Sequence, residues 1–114
     1  MKNDMNSITV SGVVSKMSSG ITHRKVQYIN INIINTMVEG GMVYKNFIPC
    51  SMYGEDLSLY IDKIKEGDSI TISGYLYGKE NVVKTLDSLS SPTSDLVTRR
   101  FFKVIIKSIK YENQ

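Results

Sequence analysis

The 114-residue chain has one cysteine, one histidine and no tryptophan, and the first two scarcities exclude whole classes of chemistry. Cys50 has no second thiol to pair with, so no internal disulfide forms. It stands in an apolar, strand-like run with no histidine beside it, where a small core residue is expected. One histidine and one cysteine leave no zinc site and no nucleophile triad, and the chain has no HExxH or P-loop motif and no carboxylate pair at a usable site spacing. No catalytic residue, metal site or cofactor is therefore expected, and the protein is not expected to be an enzyme. His23, in a polar loop, is read as a surface residue or phosphate donor. Long apolar runs are also missing, which excludes a transmembrane helix. The opening stretch MKNDMNS carries Asp4 and starts no apolar segment of the kind a secretory signal needs. A cytoplasmic protein without membrane contact is the expectation.

What is present is ordinary in amount and uneven in placement. A chain of this size supports one hydrophobic core and not two, so a single domain over residues 1–114, with its core at about 6–111, is expected. The apolar share of 41% and charged share of 22% are those of a globular chain and exclude a disordered or collagen-like one. The net charge of +3 conceals a division. Residues 55–68 hold five acids (Glu55, Asp56, Asp62, Glu66, Asp68) against two lysines, leaving twelve Lys or Arg against six acids elsewhere. Such polarity suits a polyanion on one side, as it also suits a plainly solvated basic surface.

Period-two alternation dominates the chain. Ser7 to Val14 places Ile8, Val10 and Val14 on one face, with a bend or bulge expected at Gly12. Between Lys25 and Asn35, Ile29, Ile31 and Ile33 face one way and Tyr28, Asn30, Asn32 and Ile34 the other. Glu39, Gly40 and Gly41 then turn a hairpin into a strand over Val43 to Tyr53, with Ile48, Cys50 and Met52 inward and Lys45, Phe47, Ser51 and Tyr53 outward. After Gly54 the period changes: Leu57, Tyr60, Ile61 and Ile64 fall at helical spacing, and Gly67 stops the predicted helix. A fourth strand from Ser69 to Tyr77 puts Ile70, Ile72 and Leu76 inside and Thr71, Ser73, Tyr75 and Tyr77 outside. Gly78 to Asn81 read as a short turn, Ser88 to Thr98 show no period, and a last strand runs from about Arg100 to Tyr111. Five strands with a helix between the third and fourth match an all-β OB-fold, a five-stranded Greek-key barrel used on oligonucleotides and oligosaccharides.

Three segments carry a family likeness: NSITVSGVV (Asn6 to Val14), NFIPCSMYG (Asn46 to Gly54) and IKEGDSITISGYL (Ile64 to Leu76). In this order and spacing the chain resembles the single-stranded DNA-binding (SSB) proteins of bacteria and phages and their relative, the primosomal replication protein of the PriB type. The second segment is similar to the family's pattern of an aromatic, several mostly apolar residues, an aromatic and a glycine. The third is similar to its succession of helix, Lys-Gly-Asp, strand and glycine. The resemblance implies sequence-nonspecific binding of single-stranded DNA in replication, recombination or transfer of plasmid or phage DNA. It also implies a homo-oligomer, dimer or tetramer, with replication proteins as further partners. Two departures bear on it. With no tryptophan, the stacking platforms are Tyr and Phe; and the chain ends KSIKYENQ, without the acidic tail of cellular members, which favours a phage, mobile-element or PriB-like protein. The alternatives are a primosomal protein acting chiefly through a protein partner, and an RNA-binding OB module.

The resemblance makes Phe47 and Tyr53 base-stacking platforms, and their outward parity agrees; cross-strand surface aromatics that stabilise a sheet fit the same parity. Tyr28, Tyr75 and Tyr77 are further candidates that equally suit ordinary strand positions. Lys16, Arg24, Lys25, Lys45, Lys79, Lys84, Arg99, Arg100 and Lys103 flank strands or occupy loops as a phosphate-contact set, with Lys45, Lys79, Lys84 and above all the Arg99–Arg100 pair singled out.

Overall fold

β-Branched residues at period two make strands wherever a second sheet face can cover them, and five such strands account for most of the chain. The computed structural model describes the backbone of residues 3–85 and 95–112 and, within these, the side chains of all but 56, 81–85 and 95–99. The strands are β1 (Ile8–Ile21), β2 (Gln27–Glu39), β3 (Met42–Tyr53), β4 (Ser69–Thr85) and β5 (Asp95–Tyr111). They form a closed barrel in the order β1-β2-β3-β5-β4, with β4 pairing back onto β1. Every pair is antiparallel except β3 with β5, which run parallel through Cys50–Val104 and Ser51–Ile105. No helix among the described residues is long and apolar enough to cross a membrane.

On β2, β3 and β4 the core is filled by residues that alternation assigns to it, and β5 adds two whose face the sequence leaves unassigned. Ile29, Ile31 and Ile33 of β2, Cys50 and Met52 of β3, Ile70 and Ile72 of β4, and Val104 and Ile106 of β5 are buried together. Burial pushes the Cys50 thiol up to about 12, because a thiolate there would lose its solvation. Gly40 and Gly41, both at positive φ, make the two-residue turn of the β2–β3 hairpin.

Four expectations need correction. The helix between the third and fourth strands is absent: a 3₁₀ helix spans Glu55–Leu59 and isolated turns follow it. Two bonds of helical span remain, Ile61 N–H to the Leu57 carbonyl at 2.8 Å and Ile64 N–H to the Tyr60 carbonyl at 3.1 Å, but no continuous ladder joins them into a helix. The apolar positions still dock, with Leu57 and Ile64 buried and Tyr60 and Ile61 packed against the core. The bulge in β1 lies between Val14 and Lys16, not at Gly12, which instead permits close approach: a Cβ there would sit 2.6 Å from the Ile34 carbonyl oxygen. Leu76, expected inside, is exposed at the barrel rim, where the Asn6 amide donates to its carbonyl at 2.8 Å and accepts from its N–H at 2.9 Å. Gly78 to Asn81 do not turn, since β4 continues straight through them.

Beyond the barrel, the β2–β3 and β4–β5 hairpins project as two arms. Because β3 and β5 are parallel and meet only at 50–51 and 104–105, both arms leave from the same end. The radius of gyration, 17.8 Å, exceeds the roughly 13 Å of a compact domain of similar length for this reason.

Candidate functional site

The outer face of four neighbouring strands, β2, β3, β5 and β4, carries a row of tyrosines. Tyr28 and Tyr53 are directly opposed on β2 and β3, with ring centroids 6.3 Å apart and planes tilted by 43°. One residue pair further along the same face, Asn30 opposes Ser51, and Ser51 is the parallel partner of Ile105. Ile105 in turn opposes Tyr75, and Lys103 opposes Tyr77. Strand parity therefore brings Tyr28, Tyr53, Tyr75 and Tyr77 onto one surface with Lys103 among them.

Two bulges complete this surface by changing strand phase. In β5 the pairing passes from Ser108 to Ile106, so Lys107 is the extra residue, and its ammonium lies 5.5 Å from the Tyr75 ring centroid. In β1 the extra residue is Ser15; beyond it Met17 turns inward and Lys16 opposes Asn32 on the outer face. Without the shift Lys16 would point at the core.

Lys103 is the hub. Its ammonium donates to the Tyr53 hydroxyl at 2.7 Å and lies 5.7 Å from the Tyr77 centroid. It is also 5.2 Å from the Tyr53 centroid, but a cation so close to the phenol oxygen sits near the C–O axis rather than over the ring, and the Tyr53 face stays open. The hydrogen bond from Lys103 draws the Tyr53 hydroxyl below the usual tyrosine range, against the opposing effect of partial burial. Lys103 lines three adjoining grooves. One of about 430 Å³ is bounded by Tyr53, Tyr75, Tyr77 and Lys79. A second, of about 380 Å³ between the arm bases, is bounded by Pro49, Tyr77, Phe101 and Phe102. A third, of about 480 Å³, runs past Lys16, Asn30, Asn32 and Ser51. Among the described residues lining these grooves, none is acidic.

Of the residues singled out from sequence, Tyr28, Tyr53, Tyr75, Tyr77, Lys16, Lys79 and Lys103 are brought together here. Phe47 shares the outer face and is 72% exposed, but it lies six residues from Tyr53, roughly 20 Å along β3. Lys45 is further out on the same arm, opposite Thr36. Arg100 is on the other arm, exposed and 3.4 Å from Glu80. Lys84 and Arg99 fall on the β4–β5 arm by register, and their side chains lie outside the described ones. Phe101, Phe102, Lys107, Asn30 and Ser51 were not singled out as site residues. An Arg-Arg-Phe-Phe-Lys run entering a strand signals outward aromatics beside cations, whereas no local signal marks Lys107, whose phase depends on the bulge.

Compared with protein-family models and with curated proteins, the chain matches none.

Proposed function

We propose that this chain is a single-stranded DNA-binding protein on an OB-type barrel, taking bases on tyrosine rings and phosphates on lysines without requiring a particular sequence. The strand order β1-β2-β3-β5-β4, with β3 and β5 parallel, supports the OB type. The observation that carries the function is the single surface of Tyr28, Tyr53, Tyr75 and Tyr77 around Lys103, with Lys16, Lys79 and Lys107 at its margins and no acid among the described residues of its grooves. Aromatic platforms inside a cationic track bind single strands with little regard to sequence. Such a protein keeps a strand unpaired and accessible during replication, recombination or transfer of plasmid or phage DNA.

Labelled oligo-dT at low micromolar protein tests this. Its fluorescence anisotropy rises on binding and the affinity falls steeply with added salt; a flat, salt-insensitive titration overturns the proposal. Competition by rU oligomers separates DNA from RNA preference.

One barrel covers only about 4 to 16 nucleotides, so the working form is a homo-oligomer of two or four chains. The exposed apolar residues of the β2–β3 arm (Met37, Val38, Met42, Val43) support a subunit contact there. Light scattering reads the mass directly, and Val38→Ser with Val43→Ser shifts it to one chain. A native protein that is already monomeric overturns the subunit contact, and the PriB-type reading, which predicts a dimer, with it.

A further inference from the structure

The two arms part at Pro49. β3 and β5 pair at Cys50–Val104 and Ser51–Ile105, and the pairing does not extend to Pro49, which has no N–H to donate. From there the groove of about 380 Å³ opens between the arm bases, lined by Pro49, Tyr77, Lys79, Phe101, Phe102 and Lys103. Tyr77, Lys79 and Lys103 also line the groove at Tyr53 and Tyr75. The tyrosine surface therefore runs on, without a break in its lining, into a space walled by a proline and two phenylalanines.

The two phenylalanines have different tasks. Phe102 is in phase with the buried Val104 and Ile106, just past the end of the barrel. It opposes Gly78, and a Cβ on that glycine would lie 3.0 Å from the Phe102 ring, so the ring is packed against the neighbouring strand. Phe101 is in phase with Lys103 on the outer face and opposes Lys79, two residues past the Tyr77–Lys103 pair, which is roughly 7 Å along the ladder. Its ring is 52% exposed. An exposed ring between two lysines, with no acid among the described residues around it, repeats the composition of the tyrosine surface that it continues.

We propose that this groove is a further nucleotide subsite with Phe101 as its base platform: a single strand leaving the rings of Tyr53 and Tyr77 continues between the arm bases, stacks a base on Phe101, and sets the neighbouring phosphates on Lys79 and Lys103. A nucleic-acid strand is the occupant because the groove shares three lining residues with the tyrosine surface and because its charged groups are two ammonium ions, matched to a polyanion. Phe102 is a structural wall of the subsite. The inference rests on the nucleic-acid reading and adds to it the direction in which the strand leaves the barrel, toward the arms.

The test uses the absence of tryptophan. Phe101→Trp places a single indole in a chain that has none, and its emission is excited apart from that of the tyrosines. Oligo-dT long enough to saturate the native protein is expected to quench the indole while binding at least as tightly as to native protein. Phe101→Ala is expected to weaken the same oligomer about five- to a hundredfold, the loss of one stacked base. An oligomer that quenches tyrosine emission but leaves the indole unchanged, and binds Phe101→Ala as tightly as native protein, overturns the inference and leaves the nucleic-acid reading standing. No binding of oligo-dT by the native protein overturns both. A Phe101→Ala protein of lower mass in light scattering gives the groove to a second copy of the chain and also overturns the inference. Should Phe101→Ala fail to fold, the emission of Phe101→Trp decides.

Discussion

Lys103 holds its ammonium between two rings and against one hydroxyl, a position suited to handing that charge to a phosphate while the bases on either side find open faces. Replacing it by methionine keeps the stem and removes the charge. The slope of log affinity against log salt for dT is expected to become shallower by about 0.7, the contribution of one phosphate contact on a single strand. Arg100 differs, because its guanidinium already faces Glu80 in solvent; exposed pairs of this kind contribute little, and Arg100→Ala is expected to change the slope less. Cys50 is the opposite of a reactive group. Its thiol ionises normally in the unfolded chain, near 9, and only at about 12 when buried. The folded state therefore holds its proton longer, and the stability this provides is complete below pH 9 and is lost as pH rises toward 12. Alkylation of native protein at pH 8 should be far slower than after denaturation, and a Cys50 that reacts at equal rates in both would contradict its place in the core.

The strands that alternation made legible are those whose partners keep step. β2 and β3 pair without a break from Tyr28–Tyr53 to Glu39–Met42, so Ile29, Ile31 and Ile33 could be assigned to the core from spacing alone. β1 and β5 each contain a bulge, and a bulge reverses every side chain beyond it; spacing could not tell that Met17 would be inside or Lys107 outside. The segment after β3 shows a different limit. Its 3.6-residue spacing correctly named the side chains that cover the barrel, but spacing reports which residues face the core and not whether the backbone between them is helical. The convergence on Lys103 had no local signal at all, because it depends on β3 and β5 lying side by side across half the chain. At the β4–β5 bulge, Gly74 packs directly under the Ile105 carbonyl, with no room for a Cβ. Gly74→Ala should cost at least the roughly 1–3 kcal/mol of an overpacked core, read as a lower urea midpoint; an unchanged midpoint would remove the close approach that the bulge creates.

Taken whole, the molecule gathers lysines around its tyrosines. The acidic segment after β3 runs beside the barrel and sends Leu57 and Ile64 into the core, while the tyrosine face across β2, β3, β5 and β4 gathers Lys16, Lys79, Lys103 and Lys107. Two arms rise from one end of that face and lengthen the surface beyond what a bare barrel offers. Since the protein has seven tyrosines and no tryptophan, its intrinsic emission comes from tyrosine alone, the residue type proposed to touch the bases. Titration with oligo-dT should quench that emission to a saturating value. Tyr53→Ala with Tyr77→Ala should remove most of the quench and weaken binding about thirtyfold or more, from roughly 1–3 kcal/mol per lost stack. Binding that leaves tyrosine emission unchanged, and that the double variant retains in full, would contradict the proposed site.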